Sequence, residues 1–165
     1  MNAQSHSALA LCEFDTAKLI WQADELVVSK IDAISPVVDK LMCLIKETAC
    51  VPGEEFAVEL ALREALANAV VHGNRQDPNK KVRICCACQE GQGILIIVKD
   101  DGEGFDPAKV PSSLVGENIH SDHGRGIYLI NQLMDEVHFE HGGTEIHMRK
   151  RGSVVAQSAQ LDFAA

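Results

Sequence analysis

Residues 55–74, EFAVELALREALANAVVHGN, constrain the chain most. They are strong helix formers, free of proline and of internal glycine, and predict a helix closed by Gly73 just past its end. At about 100° per residue, Glu64 and Asn68 stand roughly 40° apart on one face. Ala57, Leu60, Ala61 and Val71 surround that pair. A carboxylate and an amide are thus set into an apolar arc, where an unpaired polar group costs on the order of 2 kcal/mol or more. Something has to satisfy them. For the pair alone, capping a neighbouring loop is the simpler account; glycine motifs downstream turn the balance toward a ligand. Glu59 and Arg63, spaced i, i+4 on a different face, read as a solvated ion pair.

A chain of 165 residues is long enough for one domain with a proper core. Its net charge of −9, without a long basic run, weighs against nucleic acid or an anionic membrane as the main partner. No apolar run approaches the ~20 residues needed to span a bilayer. The opening MNAQSHSALALCEF has no basic n-region, so a cytoplasmic location is expected. In that compartment Cys12, Cys43, Cys50, Cys85, Cys86 and Cys88 are expected as reduced thiols. Cys85, Cys86 and Cys88 lack a second ligand pair at zinc spacing, which argues against a metal site there.

Along the chain, residues 1–23 are open between an extra strand and a short helix, and 25–29 (ELVVS) read as a short strand. Ile34, Val37, Val38, Leu41, Leu44 and Ile45 recur at helical spacing over 33–48, with Pro36 in the first turn. Residues 82–89 alternate as a strand, Glu90-Gly91-Gln92-Gly93 is a hairpin signal, and 94–99 (ILIIVK) form a β-rich run. Residues 106–123 are loop-like, and Gly124-Arg125-Gly126 opens a helix through Met134. Residues 137–140 and 144–149 make a second hairpin, on which His138, His141 and His147 read as surface residues. The expected architecture is α+β, a two-layer sandwich of helices on a mixed, mainly antiparallel sheet. The expected divisions are an extension over 1–24, a domain over 25–151 and a tail over 152–165.

Asp100-x-Gly102-x-Gly104 directly follows a strand. In a period-2 strand Asp100 shares a face with Ile96 and Val98, so its carboxylate projects from the buried side. A buried acceptor beside a glycine turn suits an amino group on a planar ligand; a plain solvated Asp-Gly turn is the alternative. Gly124-x-Gly126 sits where a loop enters a helix, a place that favours phosphate through free N–H groups and the helix dipole. Neither a Walker loop nor a dinucleotide fingerprint is present.

Taken in order, the segments ELALREALANAVVHGN (59–74), VKDDGEGFDP (98–107), HGRGIYLINQLMDEV (123–137) and GGTEIHMRK (142–150) resemble the GHKL, or histidine kinase-like, ATPase superfamily. More narrowly, they are similar to its anti-sigma-factor serine-protein kinase branch. The resemblance implies a histidine-kinase-like ATPase fold, with ATP and Mg²⁺ as cofactors. It implies that Asn68 coordinates Mg²⁺ and that Glu64 is the general base. Asp100 would accept from the adenine amino group, with Gly102 and Gly104 shaping that pocket. Residues 106–123 would form a lid, with Gly124 and Gly126 as hinge and phosphate contact, and Arg125 within reach of phosphate or facing solvent. Thr144 would lie near the adenine end, and His72 would be structural. The implied partners are a sigma factor and an anti-anti-sigma protein carrying the acceptor serine, and the implied oligomer is a homodimer. A nucleotide-gated interaction module with little transfer activity is the competing account, which the retained Glu64 disfavours. A detached histidine-kinase ATPase domain is a third, disfavoured by the missing phosphoacceptor helical hairpin and the short lid.

Overall fold

The structure is a computed structural model that describes residues 14–106 and 122–152. Strand β1 (Leu19–Val28) precedes helix α1 (Ile34–Glu47) and helix α2 (Glu55–Ala67). Strands β2 (Lys81–Gln89) and β3 (Gly93–Asp100), helix α3 (Asp122–Leu133), and strands β4 (Glu136–Glu140) and β5 (Glu145–Lys150) follow. The five strands form one sheet in the order β1-β2-β3-β5-β4. All of its pairings are antiparallel, so no parallel pair of the expected mixed sheet is present among the described residues. Helices cover one face, giving the expected two-layer α+β sandwich.

The two layers meet along predictable stripes. On α1, Ile34, Val37, Val38, Leu41, Met42 and Ile45 are buried; on α2, Val58, Ala61, Leu62, Ala65 and Leu66 are. From the sheet they meet Val82, Ile84, Cys86, Ile94, Ile96, Val98, Ile146 and Met148, alternate residues of β2, β3 and β5. Full burial of one such Leu or Ile contributes about 1.5–3 kcal/mol. A smaller cluster of Phe14, Cys85, Ala87, Leu95 and Ile97 lies on the opposite sheet face. The segment left open in the sequence resolves in part as β1, which starts at Leu19 rather than Glu25. Its Trp21 Nε1 donates to Thr48 Oγ1 at 2.8 Å and fastens the end of α1 to the sheet edge.

Two expectations fail. Cys50 and Cys88 form a disulfide, so the thiols are not all reduced. Cys88 ends the inward face of β2, where it meets the connection between α1 and α2, and the two Cα atoms lie 6.1 Å apart. Their separation of 38 residues gives no local hint of that encounter. Cys43, Cys85 and Cys86 are free, and burial pushes the Cys85 thiol up to about 11. His138 and His141 are exposed as expected, but His147 is not; its side chain is 12% exposed, packed beside Glu145. Among the described residues no helix is long and apolar enough to cross a membrane.

Candidate functional site

The helix expected to run to Asn74 changes character at Asn68. Residues Asn68–Gly73 form a π-turn, in which the Asn74 N–H bonds Ala69 O at 2.8 Å. This extra residue per turn widens the backbone, a feature frequent at functional sites. Left-handed Arg75 and Gln76 (φ 55° and 57°) then reverse the chain. Asn74 is fully buried; its side chain donates to Lys81 O and accepts the Asp101 N–H, both at 2.8 Å. One amide therefore joins the end of the π-turn to the start of β2 and the end of β3.

That junction sets Asp100. Its N–H donates to Thr144 O at 2.9 Å, and its Oδ1 accepts the Gly102 N–H at 2.8 Å. The carboxylate occupies the space a side chain at Gly73 would need, for a Cβ there would lie 2.4 Å from Asp100 Cγ. A Cβ on Gly102 would in turn come within 2.2 Å of Gly73 O. Two glycines thus let two backbone segments close around one carboxylate. Burial pushes the Asp100 carboxyl up and Asp101 adds to that; the Gly102 N–H and Lys80 offset it only in part, so it stays above its ordinary value.

Asp100 looks into a cavity of about 370 Å³, within the ~300–1,000 Å³ typical of small-molecule sites. Ala65 and Ala69 form one wall, Val98 and Ile146 the sheet side, and Ile127 and Phe139 the flank. Asn68, His72, Asp106 and Thr144 supply the other polar edges. Phe105 packs edge-on against Phe139 with ring centroids 5.2 Å apart. Gly104, at φ 76°, passes so close to the β4–β5 turn that a Cβ would meet Gly142 O at 2.1 Å. An apolar slot with a single carboxylate set into it suits a flat base bearing an amino group.

At the other end, α3 crosses α2. Gly126 faces both polar residues of the organising helix: a Cβ there would stand 2.9 Å from Glu64 Oε2, 3.2 Å from Asn68 Nδ2 and 3.3 Å from Asn68 Oδ1. Helix α3 starts at Asp122, two residues ahead of the expected Gly124, so Gly124 lies in its first turn, where N–H groups lack intrahelical partners. Arg125 is exposed.

The structure thus gathers Asn68, Asp100, Gly104 and Thr144 on one cavity, with Gly102 behind Asp100 and Glu64 beside Asn68 under Gly126. Glu64, Gly124 and Arg125 do not line that cavity. The expected lid falls at 107–121 outside the described residues. Sequence reasoning missed Gly73 and Asn74 as parts of the Asp100 setting, and Phe105 and Phe139 as walls. A glycine and an asparagine closing a helix read as a plain cap, so only their position facing β3 reveals them.

Residues 27–150 match the histidine kinase-like ATPase domain family. The serine-protein kinase RsbW of Bacillus subtilis (strain 168) is 34% identical over 102 residues, covering 56% of this chain and 62% of that relative. The serine-protein kinase RsbW of Staphylococcus epidermidis is 35% identical over 101 residues, again 56% and 62%. An anti-sigma F factor of Geobacillus thermodenitrificans (strain NG80-2) is 29% identical over 110 residues, 63% of this chain and 72% of the relative. The chain spans less than two thirds of the length of the two kinases. The family match takes in every element that builds the cavity, and the chain belongs to the histidine kinase-like ATPase domain family.

Proposed function

We infer that the cavity binds ATP and that the protein transfers its terminal phosphoryl group to a serine of a protein partner. The observation that carries this reading is the meeting of Gly126 with both Glu64 and Asn68 at the edge of a slot containing Asp100. Asp100 accepts from the adenine amino group, while Thr144, Gly102 and Gly104 shape that end. The Asn68 amide oxygen, beside a carboxylate, fits a hard cation that prefers oxygen ligands. Mg²⁺ held through Asn68 supplies charge neutralisation at the phosphates. Glu64 orients the acceptor serine and takes its proton as the hydroxyl oxygen bonds phosphorus and ADP departs. Gly124 and Arg125, at the start of α3, face the phosphates.

The names of the relatives support an anti-sigma type of kinase, whose partners are a sigma factor and an anti-anti-sigma protein bearing the serine. A domain over 25–151 carries the activity, in a homodimer and in the cytoplasm. The alternative, a nucleotide-gated interaction module with little transfer, has no use for Glu64 beside Asn68. Partner capture from the source cell's extract, with and without ATP, followed by phosphosite mapping tests the choice. A phosphoserine on an ATP-dependent partner supports the kinase. ATP-dependent capture with no phosphosite on any captured protein moves the conclusion to the module.

A further inference from the structure

The face of the sheet turned away from the helices carries a second concentration of chemistry, at the β4–β5 hairpin. In its register Glu140 lies directly opposite Glu145, and His138 directly opposite His147. Like paired with like across an antiparallel ladder is destabilising unless something of opposite charge lies between. The side-chain atoms converge. His147 Nε2 is 2.7 Å from Glu145 Oε1 and 3.8 Å from Glu140 Oε2, and ligand atoms of these three residues all lie within 4.8 Å of one another. His141, from the turn, places Nδ1 3.4 Å from Glu145 Oε2.

We propose that Glu140, His141, Glu145 and His147 bind one divalent transition-metal ion of the Zn²⁺ class. Two imidazole nitrogens and two carboxylate oxygens are a borderline donor set suited to four-coordinate zinc. The two carboxylates also match the ion's double charge. Glu145 is the anchor, because it is 8% exposed and held in place by strand pairing on both sides. Burial pushes its carboxyl up, but the His147 hydrogen bond and the nearby positive charges outweigh this and keep it below its ordinary value. It is therefore ionised and ready to ligate. Lys99 Nζ, 3.5 Å from Glu145 Oε2, is the competing cation. It is a third exposed and can swing into solvent as the ion enters. The site backs onto the nucleotide cavity through β5, whose Ile146 lines that cavity from the other face.

The test uses the full chain, stripped with chelator and kept free of nucleotide. Zn²⁺ is titrated by calorimetry, and Co²⁺ is followed by its visible absorption. One equivalent of Zn²⁺, with Co²⁺ bands typical of nitrogen and oxygen ligands, is the expected result. The double variant Glu140→Gln with His141→Ala changes two exposed side chains, so its fold should survive, as circular dichroism would verify. Its affinity should fall at least about 10–100-fold, the loss typical of removing mere supporting groups around a metal. His147→Ala should abolish binding at the same concentrations. No uptake by the native protein overturns the proposal, as does equal uptake by the double variant. A sulfur-to-cobalt charge-transfer band also overturns it, since the ion would then sit on cysteine.

Discussion

Gly126 on α3 stands against Glu64 on α2, with room for a hydrogen but not for a methyl: a Cβ would lie 2.9 Å from Glu64 Oε2. The contact is with the far end of a flexible side chain, so an added methyl displaces the carboxylate rather than the helices. Gly126→Ala should therefore leave the fold intact, and the better helix propensity of alanine contributes up to about 1 kcal/mol. Transfer to the partner should fall about 10²-fold, since an ångström of misplacement costs that much. Thermal melts together with a single-turnover assay check both halves; unchanged transfer would refute the placement.

Glu64→Gln separates chemistry from binding. Glutamine preserves shape but cannot take a proton, so transfer should drop by about 10²–10⁴ while calorimetric ATP affinity stays as in the native protein. Asn68→Ala should instead weaken Mg²⁺-dependent ATP binding. A Glu64→Gln variant that transfers at the native rate would remove Glu64 from the reaction.

Asp100 ties affinity to pH. Its carboxyl lies above its ordinary value, so it protonates at a higher pH than an exposed aspartate as the solution is acidified. A protonated acid loses an acceptor, so ATP affinity should weaken just above the usual carboxylate range. For stability the sign is opposite. A raised value in the folded state favours folding at low pH, and that contribution is lost as pH rises through it. Asp100→Asn should thus raise the melting temperature of the ligand-free protein at neutral pH, while costing about 1–3 kcal/mol of ATP affinity. Equal affinity of the native protein for ATP and GTP would count against the adenine contact.

Joining Cys50 to Cys88 closes a loop of 38 residues, worth about 4 kcal/mol in the chain-entropy account. Denaturant melts with and without a thiol reductant should differ by up to that amount, and Cys88→Ala should melt at the reduced midpoint whatever the redox state. Identical oxidised and reduced midpoints would mean that the bond adds nothing.

The elements easiest to read were those whose burial follows one period. Helix α1 buries the stripe its spacing announced, and the β2–β3 and β4–β5 hairpins fall at their glycine turns. Strand β1 was obscured because its polarity is inverted. Ile20, Leu26 and Val28 are exposed, whereas Glu25 points to the helix side and pairs with Lys40 at 2.6 Å. Of the site, Asn68 and Asp100 were legible because a polar group on an apolar face demands an explanation. Gly73, Asn74 and the Cys50–Cys88 pairing depend on which segments meet in three dimensions, and nothing in their immediate neighbours records that. His147 was misplaced for a related reason: its cover comes from Glu145, on its own strand, and from β3 and β4 on either side.

The π-turn at Asn68–Gly73 makes this region sensitive to length more than to composition. Such a turn is an α-helix carrying one residue too many. Deleting any single residue within it would let the ordinary ladder close and would swing everything before the deletion by about 100° relative to everything after it. Asn68 could then face the cavity, or Gly73 could face Asp100, but not both. Substitutions along Ala69–His72 leave that phase relation untouched. A one-residue shortening severs it while leaving every named side chain present in the sequence.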